Sequence, residues 1–419
     1  MLRFILFMIL FYPLLLSAQW STANGINNGR NDDIFFVNDS VGYVAGGPSG
    51  EIRKTTDAGD NWSAIFTGGP YLRSIEFIDD SVGFAGSLDS SFYMTANGGA
   101  TWINIHNRLP SPALEICGLS IPTDSVIYGC GVYSQPAYIV KSTDRGNTWT
   151  TIDMSPYASS LVEIHFLSAD TGFVCGQADS LSDGGIIFYT TDGGQNWQSV
   201  YKTFTNLDYI WKIQSPDGVN YFASVSSVPS AGNTTFLKST DGGMTWTQGV
   251  VDTTWHDIQM IGFLDSLKGW TGGRDHLFET VDGGATWNTV TIPGGGSYYN
   301  RFLKLNDSTA FISGTKIYKY GSNTLPVSVT KNEASVEIHS LTIFPNPTKQ
   351  LRFKVNMENS STAVIQLIDL KGNVLEFFNR STLVKGVHEF TASKKHAPQV
   401  AFLLMRTNEG FYTEKVVLK

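Results

Sequence analysis

The run STDGGMTWTQG, residues 239–249, puts Asp241, two glycines and Trp246 into one short stretch. The same pattern recurs as KTTDAGDNW, MTANGGATW, KSTDRGNTW, YTTDGGQNW and ETVDGGATW. The six tryptophans of these boxes, Trp62, Trp102, Trp149, Trp197, Trp246 and Trp287, are separated by 40, 47, 48, 49 and 41 residues. Self-similarity at that period marks a chain built from stacked supersecondary units. Each box reads as a tight turn. The carboxylate of Asp57, Asp144, Asp192, Asp241 or Asp282, or the carboxamide of Asn97, accepts backbone N–H groups within its own turn. A glycine two residues on supplies positive φ, and the tryptophan covers the hairpin with a large apolar surface.

Between boxes lies a second recurrent element, an apolar hairpin ending in an aromatic, as in IFFVNDSVGYVAGG, IEFIDDSVGFAGS, IHFLSADTGFVCGQ and IGFLDSLKGWTGG. Weaker copies are LSIPTDSVIYGCGV, IQSPDGVNYFASV and FLKLNDSTAFISG, which makes seven hairpins against six boxes. From each box tryptophan to the next hairpin aromatic the spacing is 22 to 26 residues, and from Trp20 to Tyr43 it is 23. Trp20 therefore occupies a box position whose box is missing. The simplest geometry is a ring of seven blades, four strands each, in which the N-terminal strand completes the last blade. The expected fold is all-β: a seven-bladed propeller over 19–320, closed by its N-terminal strand, and a small C-terminal β-sandwich.

The S/T-x-D-x-G-x-T-W pattern resembles the Asp-box, or BNR repeat, of sialidase-like propellers. Spacing and hairpin motif are most similar to the branch that includes photosystem II stability and assembly factors and many secreted bacterial propellers. The resemblance spans residues 20–320 and implies fold; sialidases, other glycosidases and non-enzymatic binders all carry such boxes, so it leaves activity open.

Residues 1–18 read as a signal peptide, with Arg3 as the positive region, Phe4–Leu16 as the apolar core and Ser17-Ala18 as the cleavage site. The thirteen-residue apolar run is short for a bilayer span, and the mature chain, from Gln19, contains no longer one. The net charge of −8 excludes a nucleic-acid footprint. Residues 321–340 are polar and unpatterned, as a linker would be. Residues 341–419 alternate as short strands. Charge shifts too: residues 321–419 carry 12 Lys+Arg and 8 Asp+Glu, a net of +4, leaving −12 for the remainder.

FPNPT (344–348), LIDLKGNVL (367–375) and KVVLK (415–419) resemble the type A C-terminal sorting domain of the type IX secretion system of Bacteroidota. One departure is Pro398-Gln399-Val400-Ala401, where such domains usually read P-G-V-Y. The resemblance implies export across the outer membrane, with the type IX machinery as partner, and a secreted or surface-attached product. Asp-Ser turns such as those at 39–41 and 80–82 also resemble an O-glycosylation acceptor motif of that phylum, although turn preference accounts for them.

No metal or cofactor motif stands out, so none is expected. Gly294–Gly296 lacks the strand-to-helix context of a phosphate cradle, and Asp179 and Asp183 read as a polar turn rather than calcium ligands. Three cysteines are too few for a disulfide scaffold. A bridge among Cys117, Cys130 and Cys175 and buried free thiols both stay open, with free thiols favoured. The loops joining successive blades are aromatic and charged. They supply the candidate binding residues Arg30, Asp32, Tyr71, Arg73, Tyr157, Trp211, Trp255, His256, Asp257, Tyr299 and Arg301, with stacking surfaces for sugar or peptide and guanidinium forks for carboxylates. No catalytic residue is assigned. The leading reading is a binding module for a glycan, peptide or envelope protein. The alternative is a glycoside hydrolase working in the propeller mouth, for which no spacing identifies a carboxylate pair.

Overall fold

The computed structural model describes residues 19–321 apart from 27–28, 132–135, 179–183, 204, 206, 230–231 and 293. It also describes 340–418 apart from 344–350, 358, 370–373, 394–396, 398 and 408–410. Residues 1–18, read above as a signal peptide, the FPNPT motif and the pair Asp179 and Asp183 lie outside the described residues. The chain divides into two compact units, Met1–Leu325 and Pro326–Lys419.

The first unit holds seven four-stranded antiparallel sheets. The first blade shows the pattern: Asn31–Phe36 innermost, then Gly42–Gly46, Glu51–Thr55 and Ser63–Phe66. Its second strand, GYVAG, is buried throughout because sheets pack on both its faces. The innermost strands of the later blades are Leu72–Phe77, Gly118–Ser120, Ala158–Phe166, Tyr209–Gln214, Ile258–Phe263 and Tyr299–Lys304. Each contacts the next, and the last contacts the first, so the ring is closed. The seventh blade runs Tyr299–Lys304, Ala310–Gly314, Ile317–Gly321 and then Gln19–Thr22. Trp20 lies opposite Tyr320 in that final pairing, and its indole packs edge-on against Trp270 at 5.2 Å in the neighbouring blade.

The blades are joined by aromatic stacking. Tyr43 stacks on Phe77 of the next blade at 3.9 Å, Tyr128 on Phe166 at 3.6 Å, Phe222 on Phe263 at 3.4 Å and Phe311 on Phe36 at 4.6 Å. The box tryptophans meet the inner-strand rings edge-on, Trp62 against Phe36 and Trp287 against Phe263. The hairpin aromatics are thus the glue between blades.

Each box is one hydrogen-bonded unit. The Ser or Thr at its start accepts the glycine N–H four residues on at 2.9–3.1 Å in all six copies. The Asp or Asn oxygen accepts the N–H four residues beyond itself at 2.9–3.0 Å. Bonds from the side chains of Asn61, Thr148, Asn196, Thr245 and Thr286 lead the causes that hold the five aspartates down at about 2. The residue after Asp or Asn also donates its N–H to the turn between the first two strands of the blade, as Ala58 does to Ser40 and Gly283 to Leu267. The boxes and those turns therefore share one face of the ring. Gly59 needs its φ of +84°, and a Cβ there would also come within 2.5 Å of the Phe311 ring. All three cysteines are free and buried.

The second unit, described by itself, pairs a three-stranded sheet (Ser340–Ile343, Arg352–Met357, Gly386–Thr391) with a four-stranded one. The latter is ordered Val374–Leu383, Ser361–Asp369, Gln399–Thr407, Phe411–Leu418. Phe353, Val355, Ile365, Leu367, Leu403 and Val416 form its core.

Trp20→Ala removes the largest apolar contact of the closing strand and is expected to cost about 3–5 kcal/mol, read as a lowered urea midpoint. Thr190→Val keeps the side-chain shape but leaves the buried Gly194 N–H without its acceptor. Its expected cost is about 1–3 kcal/mol in the same measurement.

Candidate functional site

The channel takes its chemistry from a repeated irregularity. In six of the seven innermost strands the register slips by one residue, leaving Asp32, Arg73, Val162, Trp211, Gln259 and Asn300 without a cross-strand partner. Such a bulge re-aims side chains at a sheet edge. Asp32, Arg73, Trp211 and Gln259 meet at the channel end opposite the boxes, while the residues that follow the bulge, Asp33, Glu163, Lys212 and Arg301, form a second layer.

At the mouth opposite the boxes, Asp32 is fully buried and receives two guanidinium groups, Arg30 Nε and Arg73 Nη1, both at 2.8 Å. Arg30 also donates from Nη2 to Gln259 Oε1 at 2.8 Å and lies 5.6 Å over the Tyr298 ring. Arg73 lies 5.6 Å over Trp211, which stacks with Tyr209 at 5.3 Å. Burial and the Asp32 charge push the Tyr71 phenol well above its ordinary range. A cavity of about 210 Å³ opens here, lined by Arg30, Tyr71, Arg73, Cys117, Trp211 and Gln259 among others.

The second layer is an ion-pair network across the channel. Glu163 accepts from Lys212 Nζ at 2.6 Å and from Arg301 Nη1. Arg301 Nε also faces Asp33 Oδ1 at 3.4 Å, and Asp33 accepts the N–H groups of Ile34 and Ile75. Burial alone would raise the Glu163 pKa, but Arg301 and Lys212 hold it below the usual range. Burial lowers Lys212 and raises Asp33. Charges buried this deeply persist only when paired and hydrogen-bonded.

The structure brings Arg30, Asp32, Tyr71, Arg73 and Trp211 together and separates the other candidates. Arg301 lies deeper, on Glu163. Trp255, His256 and Asp257 line a separate recess of about 300 Å³ with Arg274, Asp275 and His276, where the two imidazoles stand 3.9 Å apart. There burial, followed by the neighbouring His276, lowers the His256 pKa. Tyr157 is half exposed and packs edge-on against Phe188. Tyr299 is buried beside Tyr318, and burial lifts its phenol to about 12. Among the described residues, no three His, Cys, Asp or Glu side chains converge to hold a metal ion.

Sequence reasoning missed Asp33, Glu76, His165, Lys212 and Gln259. A signal was present: Asp33, Glu163, Lys212 and Arg301 each precede their hairpin aromatic by ten residues, and Glu76 and His165 by eight. The ladder of aromatics could have placed them at two levels of one channel.

Ring, boxes and channel define the class as a BNR-type β-propeller. Residues 68–228 match the family model of the photosynthesis system II assembly factor YCF48. The chain is 22% identical over 284 residues to the photosystem II assembly lipoprotein Ycf48 of Synechococcus sp. (strain CC9902), covering 58% of this chain and 82% of that protein. The solved structure of YCF48 from Cyanidioschyzon merolae is similar with a TM-score of 0.57 at 17% identity, covering 74% of this chain and all of that one. PorZ, described as a surface component of the type-IX secretion system of Porphyromonas gingivalis, has a TM-score of 0.50 at 12% identity. The match covers 95% of this chain and 60% of PorZ, and at that identity the likeness concerns fold.

Burial, followed by the nearby Asp33 carboxylate, raises the Glu76 carboxyl to about 8. Between its ordinary 4.5 and that value the folded chain holds a proton that the unfolded chain has released. Stability should therefore fall as pH rises through that window, by at most about 1.4 kcal/mol per pH unit from this group. Glu76→Gln is expected to remove that slope in urea titrations run from pH 4.5 to 8.5.

Proposed function

We propose that this chain is a binding propeller exported through the type IX secretion system and held at the cell surface or released. It captures a glycan, peptide or envelope protein at the mouth opposite the boxes. The observation that carries the reading is the fixed posture of Arg30. Its side chain is about one-quarter exposed, clamped between Asp32 and Gln259, and stands beside Tyr298, Tyr71 and Trp211. A guanidinium immobilised in advance loses little freedom on binding, and the flanking rings offer stacking area.

The glycosidase alternative, in its sialidase form, calls for three arginines that converge on one substrate carboxylate. Arg30 and Arg73 meet at Asp32 in the mouth, whereas Arg301 lies in the second layer on Glu163 and Asp33. The export reading rests on the signal-like residues 1–18 and on the sorting motifs of 341–419. The mature chain, residues 19–419, applied to a glycan array and to a panel of fluorogenic glycosides, is expected to bind without turnover. Arg30→Ala should weaken that binding about tenfold, the loss of roughly one charged contact. Turnover of any glycoside would replace this reading with the hydrolase. In a type IX-competent host, removal of 341–419 is expected to leave the protein in the periplasm.

A further inference from the structure

The channel has a second end, on the box face, where the ion-pair network forms the floor of another cup. Its volume is about 310 Å³, the low end of the range for small-ligand sites. Glu76, His165, Lys212, Arg301 and Lys304 line it together with the partly buried apolar residues Phe35 and Leu303. Neither the mouth residues nor the boxes take part, so this cup stands apart from the binding function proposed for the mouth.

Its polar groups are unevenly matched. Lys212 carries three N–H donors and spends one on Glu163. Arg301 carries five and engages Glu163 and Asp33 through Nη1 and Nε. His165 makes no hydrogen bond to the described residues; its ring lies edge-on to Tyr221 at 6.5 Å. Glu76 Oε2 is sealed from solvent and has no partner. The acceptors of the ion-pair network, in contrast, are occupied: Glu163 takes Lys212 and Arg301, and Asp33 takes two backbone N–H groups besides Arg301. Donors therefore outnumber acceptors, and an unpartnered buried polar atom carries a desolvation penalty that a ligand relieves.

Charge gives the sign. Glu163 and Asp33 offset Lys212 and Arg301, which leaves Lys304 at the rim, where its partner Asp307 is 97% exposed. A cation would meet three cationic side chains. A single negative charge would meet free donors from several sides. Glu76, protonated at neutral pH by its raised pKa, adds a donor rather than a repelling charge. The apolar walls make no bonds to a bare hydrated oxyanion and are covered only by a hydrocarbon stem.

We propose that the box-face cup binds a small monocarboxylate on an apolar stem, its carboxylate directed at Lys212, Arg301, His165 and Glu76 and its stem against Phe35 and Leu303. Calorimetric titration of the mature chain at pH 7 with 4-methylpentanoate, its primary amide and inorganic phosphate tests this. The acid should saturate, with the amide and phosphate at least about tenfold weaker, a difference of about 1.4 kcal/mol. His165→Phe keeps the ring against Tyr221 but removes its N–H, and Glu76→Leu removes the carboxyl; each should weaken the acid about fivefold or more. If Glu76→Leu fails to fold, as judged by its circular dichroism melt, His165→Phe decides alone. Three results would overturn the assignment: no saturation by the acid, equal binding of amide or phosphate, or wild-type affinity in His165→Phe.

Discussion

The fold depends on a four-residue strand. Gln19–Thr22 pairs with Ile317–Gly321 and so gives the seventh sheet its outer edge. Without it that blade would expose the backbone donors and acceptors of an edge strand, and the ring would lose the Trp20 indole from the cluster with Trp270 and Tyr320. Closure also fixes the seven innermost strands around one axis, and that makes a shared channel possible. The two ends of the propeller sequence are therefore neighbours, and every other blade is positioned between them.

The blades repeat two devices. The box is a polar wedge, a hydroxyl, a carboxylate or carboxamide and a glycine bonded to one another and to the turn beside them. It orients a tryptophan whose edge meets the inner-strand ring. That ring in turn stacks on the hairpin aromatic of the preceding blade, as Phe77 does between Trp102 and Tyr43. Local turn chemistry is thereby coupled to packing between sheets. The carboxylates held at about 2 by this bonding are turn elements, spread around the rim.

The bulge is the functional counterpart of the box. By slipping one residue, six of the seven inner strands alter the alternation that would otherwise govern which side chains face the axis. Two layers of polar groups then face one another across the channel: Asp32 with Arg30 and Arg73, and Glu163 with Lys212 and Arg301. Mutual neutralisation lets so many charges be buried, and it leaves different surpluses at the two ends. A clamped arginine among aromatic rings faces one way. Unspent N–H donors over apolar walls face the other.

The sequence by itself determined the architecture, because its signals are local or periodic. The D-x-G turn of residues 57–59 dictates its own backbone, and the even spacing of tryptophans and hairpin aromatics counted the blades and paired Trp20 with the last one. The candidate site was legible only in part. Arg30, Asp32, Tyr71, Arg73 and Trp211 were singled out and are neighbours, whereas Arg301, His256 and Tyr299 from the same loops stand elsewhere. Lys212 meets Glu163 across 49 residues, and Arg301 meets it across 138. No local pattern encodes such pairs. They arise when a closed ring brings one register position from each blade to a common axis, where low dielectric forces opposite charges to find each other. Only the tertiary structure decided that geometry.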